Sequence, residues 1–430
     1  MADLNFQTLA THAGYNSKEG YGSMAVPIYL STAYDFKTSE TAAARFALQE
    51  LGPIYTRLNN PTVDIFEARI AALEGGAGAI GTASGQAAEF YALINVAKAG
   101  DNVIVAQKVY GGTTNLALNT LKRFGIEARI FDSDTADDLE NLIDENTKAI
   151  FFETLSNPQI AIPNIKKIVE IADKHGIITI VDNTVATPVL FNPIKHGVDV
   201  VIHSASKYIS GQGLTIAGAV VSGIKTNKKL VDNKRYAEFN EPNDSYHGLI
   251  YADLAPNFDI FTLRIRIEFL RDIGATMSPF SAWQLIQGLE TLSVRVKEHS
   301  RNTQKIAEWL EKNPAVKSVN YPGLSSSPLN KFVKENFTDG LASGLLSFDV
   351  GDKKLANDIM REVEIFSVVV NIGDSKSIIT HPASSTHSQL SDEELLSAGV
   401  TPGLIRLSIG LENTDDLIND LDNAIKKAIK

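Results

Sequence analysis

The chain has no cysteine in its 430 residues. That absence removes disulfides, thiolate nucleophiles and every zinc site built on sulfur ligands. Positive charge is in deficit as well: the formal net charge is -11. Binding to a phosphate backbone requires a basic footprint, so no nucleic-acid partner is expected. No apolar run reaches the roughly 18 residues of a membrane-spanning helix, and no membrane association is expected. The opening stretch MADLNFQTLATHAGYNSKEG lacks the basic and apolar regions of a secretory signal, which makes the cytoplasm the expected location. The eight histidines include no H-E-x-x-H pattern. The pair His381 and His387 sits among small hydroxyl residues, a setting that orders a loop more often than it ligates a metal, so no metal is expected.

What is present reads as a soluble globular protein, 44% hydrophobic and 21% charged. Its length exceeds one minimal core. From about Gly78 to Ser222, short Val- and Ile-rich runs alternate with helical patterns: AIGTAS, NVIVA, ARIFD, KAIFFET, IITIVDN, VDVVIHS and AGAVVSG. Runs apolar on both faces and separated by helices predict parallel strands in a doubly covered α/β sheet of about seven strands. Residues 1–60 carry few regular patterns and many aromatic, Gly and Pro residues, as expected of an arm that packs on a neighbouring subunit. A polar, turn-rich stretch after Ser222 breaks the alternation. From Ser278, a Ser-Pro start followed by Leu285, Leu289, Leu292 and Val296 at helical spacing predicts a long helix. Strands GLLSFDV, FSVVVNI and LIRLSIGL follow, and the final helix has acids first and lysines last, as the helix dipole favours. The expected division is an arm, 1–60, a ligand-binding domain, 61–275, and a smaller α+β domain, 276–430.

GAGAIG (76–81) matches a dinucleotide fingerprint only superficially. The strand is expected after its first two glycines, and Asp101 begins the next strand instead of ending it, so the register for nicotinamide binding is wrong. A better phosphate site is TASGQAAEF: a strand ends at Thr82, a helix begins near Gln86, and Ser84 and Gly85 leave first-turn amides open to an anion. An ordinary N-cap explains the same residues when they are taken alone. Asp182 then ends the buried strand IITIVD, where open α/β sheets bind ligands, and Lys207 follows the next strand in HSASKYISG. A strand-helix-strand unit separates them, which places acid and amine at one sheet edge. A lysine ending an apolar run is costly to bury as a cation. Schiff-base formation with the aldehyde of pyridoxal phosphate removes that charge; Asp182 would then hold the pyridine nitrogen protonated, Tyr110 would stack on the ring, and Ser204 and Ser206 would bind the phosphate.

SASKYISG, with VDNT, ETLSNP, VYGGT and SGQAA before it and HPASSTHSQL and GLIRLSIGLE after it, resembles the Cys/Met-metabolism family of pyridoxal phosphate enzymes, and within it the O-acetylhomoserine sulfhydrylase branch. The resemblance runs from His12 to Glu412. It implies a fold-type I, aminotransferase-like subunit, usually in a homotetramer of two tight dimers, with pyridoxal 5'-phosphate as cofactor. Residue by residue it implies Lys207 as the Schiff-base lysine, Asp182 at the pyridine nitrogen with Thr184 beside it, and Tyr110 as stacking ring and acid-base group. It assigns phosphate binding to Ser84, Gly85, Gln86, Ser204 and Ser206, joined by Tyr55 and Arg57 from the partner subunit. Asn157 would contact cofactor and substrate, and Arg406 and Asn371 would bind the substrate. For Arg57 and Arg406, surface ion pairing is the competing reading of the residues alone.

The implied reaction replaces the γ-acetoxy group of O-acetyl-L-homoserine by sulfide, giving L-homocysteine and acetate for methionine biosynthesis. Methionine γ-lyases of the family usually carry cysteine just after the stacking tyrosine, where this chain has Gly111 and Gly112. Cystathionine-forming and cystathionine-cleaving relatives usually show Ser-Leu-Gly where this chain reads VNIGDSKS. Sulfhydrylases often read Gly-Gly-His-Gly after the lysine motif; SGQG, with Gln212, departs from that. Sulfide, methanethiol and the thiocarboxylate of a sulfur-carrier protein are the sulfur donors to be distinguished.

Overall fold

Seven apolar runs become seven strands: β1 (Gly76–Thr82), β2 (Asn102–Ala106), β3 (Glu127–Phe131), β4 (Thr147–Glu153), β5 (Ile178–Asp182), β6 (Val200–His203) and β7 (Gly218–Gly223). The computed structural model describes residues 4–18, 22–385, 393, 395 and 399–430. β2, β4, β6 and β7 are buried at every residue, because helices cover both faces of the sheet. The strand order is β1-β7-β6-β5-β4-β2-β3. β2 to β6 pair in parallel, but β7 lies antiparallel between β1 and β6, against the expectation of a parallel strand. An apolar run looks the same in either direction. What decides is the connection: the segment between β6 and β7, which carries Lys207, returns without a crossover helix, and only an antiparallel strand can follow such a return. β1 starts at Gly76, so the first glycines of GAGAIG lie inside the strand and not before it.

The second sheet contains β8 (Ser318–Asn320), β9 (Leu345–Asp349), β10 (Ser367–Val368), β11 (Ile378–Thr380) and β12 (Leu404–Ser408), in the order β10-β11-β12-β9-β8. Only two residues of FSVVVNI form a strand. β10 is an edge strand paired to β11 alone, and the chain then leaves the sheet so that Asn371 reaches Lys207. Ser318–Asn320 and Ile378–Thr380 were not expected as strands; three residues are too few to show a period of two.

Helix starts follow their caps. Ser84 Oγ accepts the amide of Ala87 and opens the helix Gly85–Ile94, one residue earlier than the sequence suggested. Asn60 Oδ1 accepts the amide of Thr62 ahead of Pro61–Glu74, which has proline at its first position. The predicted long helix spans Pro279–Leu310 and packs on Pro61–Glu74, on β9 and on the terminal helix Thr414–Ala428. Leu285, Leu289, Leu292 and Val296 are at most 1% exposed, so truncating any one of the leucines to alanine should cost about 2–5 kcal/mol. Buried hydrophobic residues from both sheets join in one cluster. The arm contributes the helices Phe6–His12 and Ser39–Phe46 and an isolated bridge between Ala33 and Tyr55.

Candidate active site

At the carboxyl ends of β4, β5 and β6, the two sheets face each other across a cavity of about 460 Å³, within the size range of small-molecule sites. Twelve of the fourteen residues singled out in the sequence line it: Ser84, Gly85, Gln86, Tyr110, Asn157, Asp182, Thr184, Ser204, Ser206, Lys207, Asn371 and Arg406. The common edge follows from the parallel register, since Glu153 of β4 pairs with Asp182 of β5, and Asp182 with Ile202 of β6.

Two cations enter the cavity and neither has a carboxylate partner among the described residues. Lys207 Nζ donates to Asn371 Oδ1 at 2.7 Å. Burial, and secondarily the charge of Arg406, push its amine below the usual lysine range, which favours the neutral, nucleophilic form. Arg406 is 3% exposed, so the surface ion pair is excluded. Its Nη1 donates to Asn157 Oδ1 at 2.9 Å, and its Nη2 to Asn371 O at 3.0 Å and Thr380 Oγ1 at 3.2 Å, while Nε has no partner. Burial lowers its pKa to about 10. A buried guanidinium held only by neutral oxygens is suited to receive a carboxylate as a bidentate fork.

Three carboxyl groups line the cavity as well. Asp182 Oδ1 accepts the amide of Thr184 at 2.8 Å, and burial raises its pKa. Sequence reasoning missed two neighbours, Glu89 and Glu153, which also line the cavity. Glu89 accepts from Thr113 Oγ1 and Gln86 Nε2, both at 2.9 Å, and burial together with the charge of Asp182 pushes it up to about 8. Glu153 accepts the amide of Tyr110 at 2.5 Å and is raised well above the carboxylate range for the same two reasons. Both had a signal. Glu153 ends a buried strand just as Asp182 does, and Glu89 stands one turn into the helix that begins at Gly85.

At the phosphate end, the helix Gly85–Ile94 points its first amides at the cavity. Those of Ala87 and Ala88 are taken by Ser84, and those of Gly85 and Gln86 lie beyond reach of any carbonyl within the helix. A Cβ at Gly85 would meet Ser204 Cβ at 2.7 Å, so glycine lets this turn close against the turn after β6. Ser204 N donates to Thr184 Oγ1 at 2.7 Å; the Ser206 hydroxyl is engaged with Ala217, donating to its carbonyl at 3.1 Å and accepting its amide at 2.9 Å. Tyr110 is 41% exposed, and a Cβ at Gly112 would come 2.5 Å from its ring, so the glycine after it permits that ring position. An anion cradle at one end, buried acids, and an unpaired amine and guanidinium fit a phosphorylated pyridine aldehyde together with an amino-acid substrate.

Tyr55 and Arg57 are not brought to this cavity. Both are exposed on the arm, with the Arg57 guanidinium 5.1 Å from the Tyr55 ring centroid. Gln212 is exposed and only its neighbours Gly213 to Ile216 line the mouth. His381 bonds Ser384 Oγ at 2.7 Å and Pro402 O at 2.8 Å, ordering its loop. His387 and the stretch THSQL lie outside the described residues.

Residues 7–426 match the family described as Cys/Met metabolism PLP-dependent enzyme. The chain is 42% identical over 428 residues to an O-acetyl-L-homoserine sulfhydrylase of Leptospira meyeri, covering 98% of this chain and 96% of that one. To a homocysteine synthase of Schizosaccharomyces pombe it is 43% identical over 426 residues, covering 99% of each. A solved structure from Campylobacter jejuni, assigned as an O-acetylhomoserine (thiol)-lyase and carrying a pyridoxyl-lysine phosphate, superposes with a TM-score of 0.96 at 55% identity, over 98% of this chain and 100% of that one.

Proposed function

Because the chain belongs to the Cys/Met metabolism PLP-dependent enzymes, we propose that it binds pyridoxal 5'-phosphate in this cavity and converts O-acetyl-L-homoserine and sulfide to L-homocysteine and acetate. Relatives named for this activity match along nearly their whole length. The observation that carries the reading is the pairing of a desolvated Lys207 amine with a buried, acid-free Arg406 guanidinium across one cavity.

The cofactor, bound covalently through Lys207, supplies a sink for the electron pair left on the substrate α-carbon. The chain supplies the rest. Arg406, steadied by Asn157 and Thr380, would clamp the substrate carboxylate, with Asn371 beside it. Lys207 Nζ lies in the cavity, where as a free amine it would take the α-proton and return it later. In the net reaction a C–S bond to hydrosulfide forms at the γ-carbon, the C–O bond to the acetoxy group breaks, and acetate leaves with its electron pair. Asp182, backed by the Thr184 amide, would hold a proton on the pyridine nitrogen, Tyr110 would cover the ring face, and Gly85, Gln86, Ser84, Ser204 and Ser206 would receive the phosphate. Ser206 would have to release Ala217 to do so.

Tyr55 and Arg57 would complete the phosphate site of a neighbouring subunit in a homotetramer built from two tight dimers. The exposure of both, and of Met24, Leu30 and Leu51 on the same arm, supports this reading. A cytoplasmic location and the division at about residues 60 and 275 belong to the same proposal. The test is a product analysis of the holoenzyme with O-acetylhomoserine, offered sulfide and cysteine in equal amounts. Homocysteine as the main product is expected; cystathionine, or oxobutyrate with ammonia, would move the chain to another branch of the family.

A further inference from the structure

The loops that carry Tyr110 and Asn157 both end on one side chain. Glu153 Oε1 accepts the amide of Tyr110 at 2.5 Å, and the amide of Asn157 faces the same carboxyl and favours its ionised form. Asn157 Oδ1 then receives Arg406 Nη1 at 2.9 Å, Arg406 Nη2 donates to Asn371 O at 3.0 Å, and Asn371 Oδ1 receives Lys207 Nζ at 2.7 Å. The bonds form a belt around the cavity from the ring-stacking residue to the amine. Glu153, 5% exposed, ends the central strand β4, and Arg406 lies within β12, so the belt is anchored in both sheets.

We infer that Glu153 is a positioning residue: its carboxyl holds the amide of Tyr110 and faces that of Asn157, and so sets the ring platform and the carboxylate clamp at a fixed separation without transferring a proton. This rests on the proposed function, because the clamp and the platform take their roles from it. Burial and the charge of Asp182 push the Glu153 carboxyl well above the usual carboxylate range, toward its neutral form. A neutral amide oxygen would serve as acceptor equally well.

The experiment compares Glu153→Gln, Glu153→Asp and Glu153→Ala holoenzymes with wild type. Glu153→Gln should keep kcat and KM within about threefold, with an unchanged pH profile. Glu153→Ala should raise KM for O-acetylhomoserine by about tenfold or more, shift the cofactor's visible circular dichroism, and speed amide exchange in the peptides holding Tyr110 and Asn157. If the alanine variant does not fold, Glu153→Asp decides, since its shorter side chain reaches only one of the two loops; one of the two peptides should then exchange faster. Unchanged exchange in both peptides for a folded aspartate or alanine variant would overturn the inference. So would a glutamine variant as impaired as alanine with an altered pH profile, which would make Glu153 a proton carrier. Amide exchange is read without turnover, and wild-type turnover is measured alongside, so failure of the proposed reaction is seen separately.

Discussion

The cavity and the paired parts of the buried interior treat charge in different ways. On the wall from the first sheet and its helix, Asp182, Glu89 and Glu153 are buried with no cation paired to any of them among the described residues. Lys207, from the segment after β6 of the same sheet, and Arg406, from β12 of the second sheet, are buried there with no acid paired to either among the described residues. Elsewhere several buried charges are paired: Lys229 with Asp199 at 2.7 Å, Lys148 with Asp101 at 3.3 Å, and Arg266 with Glu67. Leaving a charge unpaired is expensive. A site that buries acids and bases without pairing them to one another is complementary to a ligand that brings the missing charges: a protonated ring nitrogen for Asp182 and a carboxylate for the Arg406 guanidinium.

The deepest break in this comparison removes the amine. Lys207→Ala is expected to abolish covalent cofactor attachment, read as loss of the visible absorbance band and of borohydride trapping, and to lower turnover by roughly 10³-fold or more. A variant that turns over at the wild-type rate would refute the assignment.

Removing the other cation should separate binding from chemistry. Arg406→Met should raise KM for O-acetylhomoserine by about 10²-fold, through loss of a charge-assisted fork, while the visible band stays. The sign of the pH effect follows from the depressed pKa. Arg406 is charged below about 10, so in the wild type KM should climb as pH rises through that value, and in Arg406→Met it should not. Equal climbs in both proteins would assign the effect elsewhere.

The acid wall gives the smallest effect and tests the charge account most directly. Glu89 has a folded pKa raised from 4.5 to about 8, so between those values the folded state binds a proton that the unfolded state has lost. Stability from this group is therefore fully present below about 4.5 and is lost as pH rises toward 8. Glu89→Gln should raise the unfolding midpoint at pH 8, at about 1 °C per kcal/mol gained for a chain of this length, and leave it nearly unchanged at pH 5. A midpoint lowered at pH 8 would mean that the ionised form is the stable one.

Local pattern makes a good part of this legible in the residues themselves. Buried apolar runs separated by helices identify a covered α/β sheet, and parallel strands bring their carboxyl ends to one edge, so the spacing of Asp182 and Lys207 is enough to place them together. Motif resemblance supplies Asn157, Asn371 and Arg406, which no periodicity links to that edge. Only the tertiary structure decides the rest. The direction of β7 depends on a return without a helix, and the bond between Arg406 and Asn157 joins residues 249 positions apart. Glu89 and Glu153 become neutral, and Arg406 acid-free, because packing removes water from them and supplies no counter-ion. Desolvation belongs to the assembled cavity and not to any stretch of sequence, so a residue's type and spacing can nominate it for the site while its charge is settled by what packs around it.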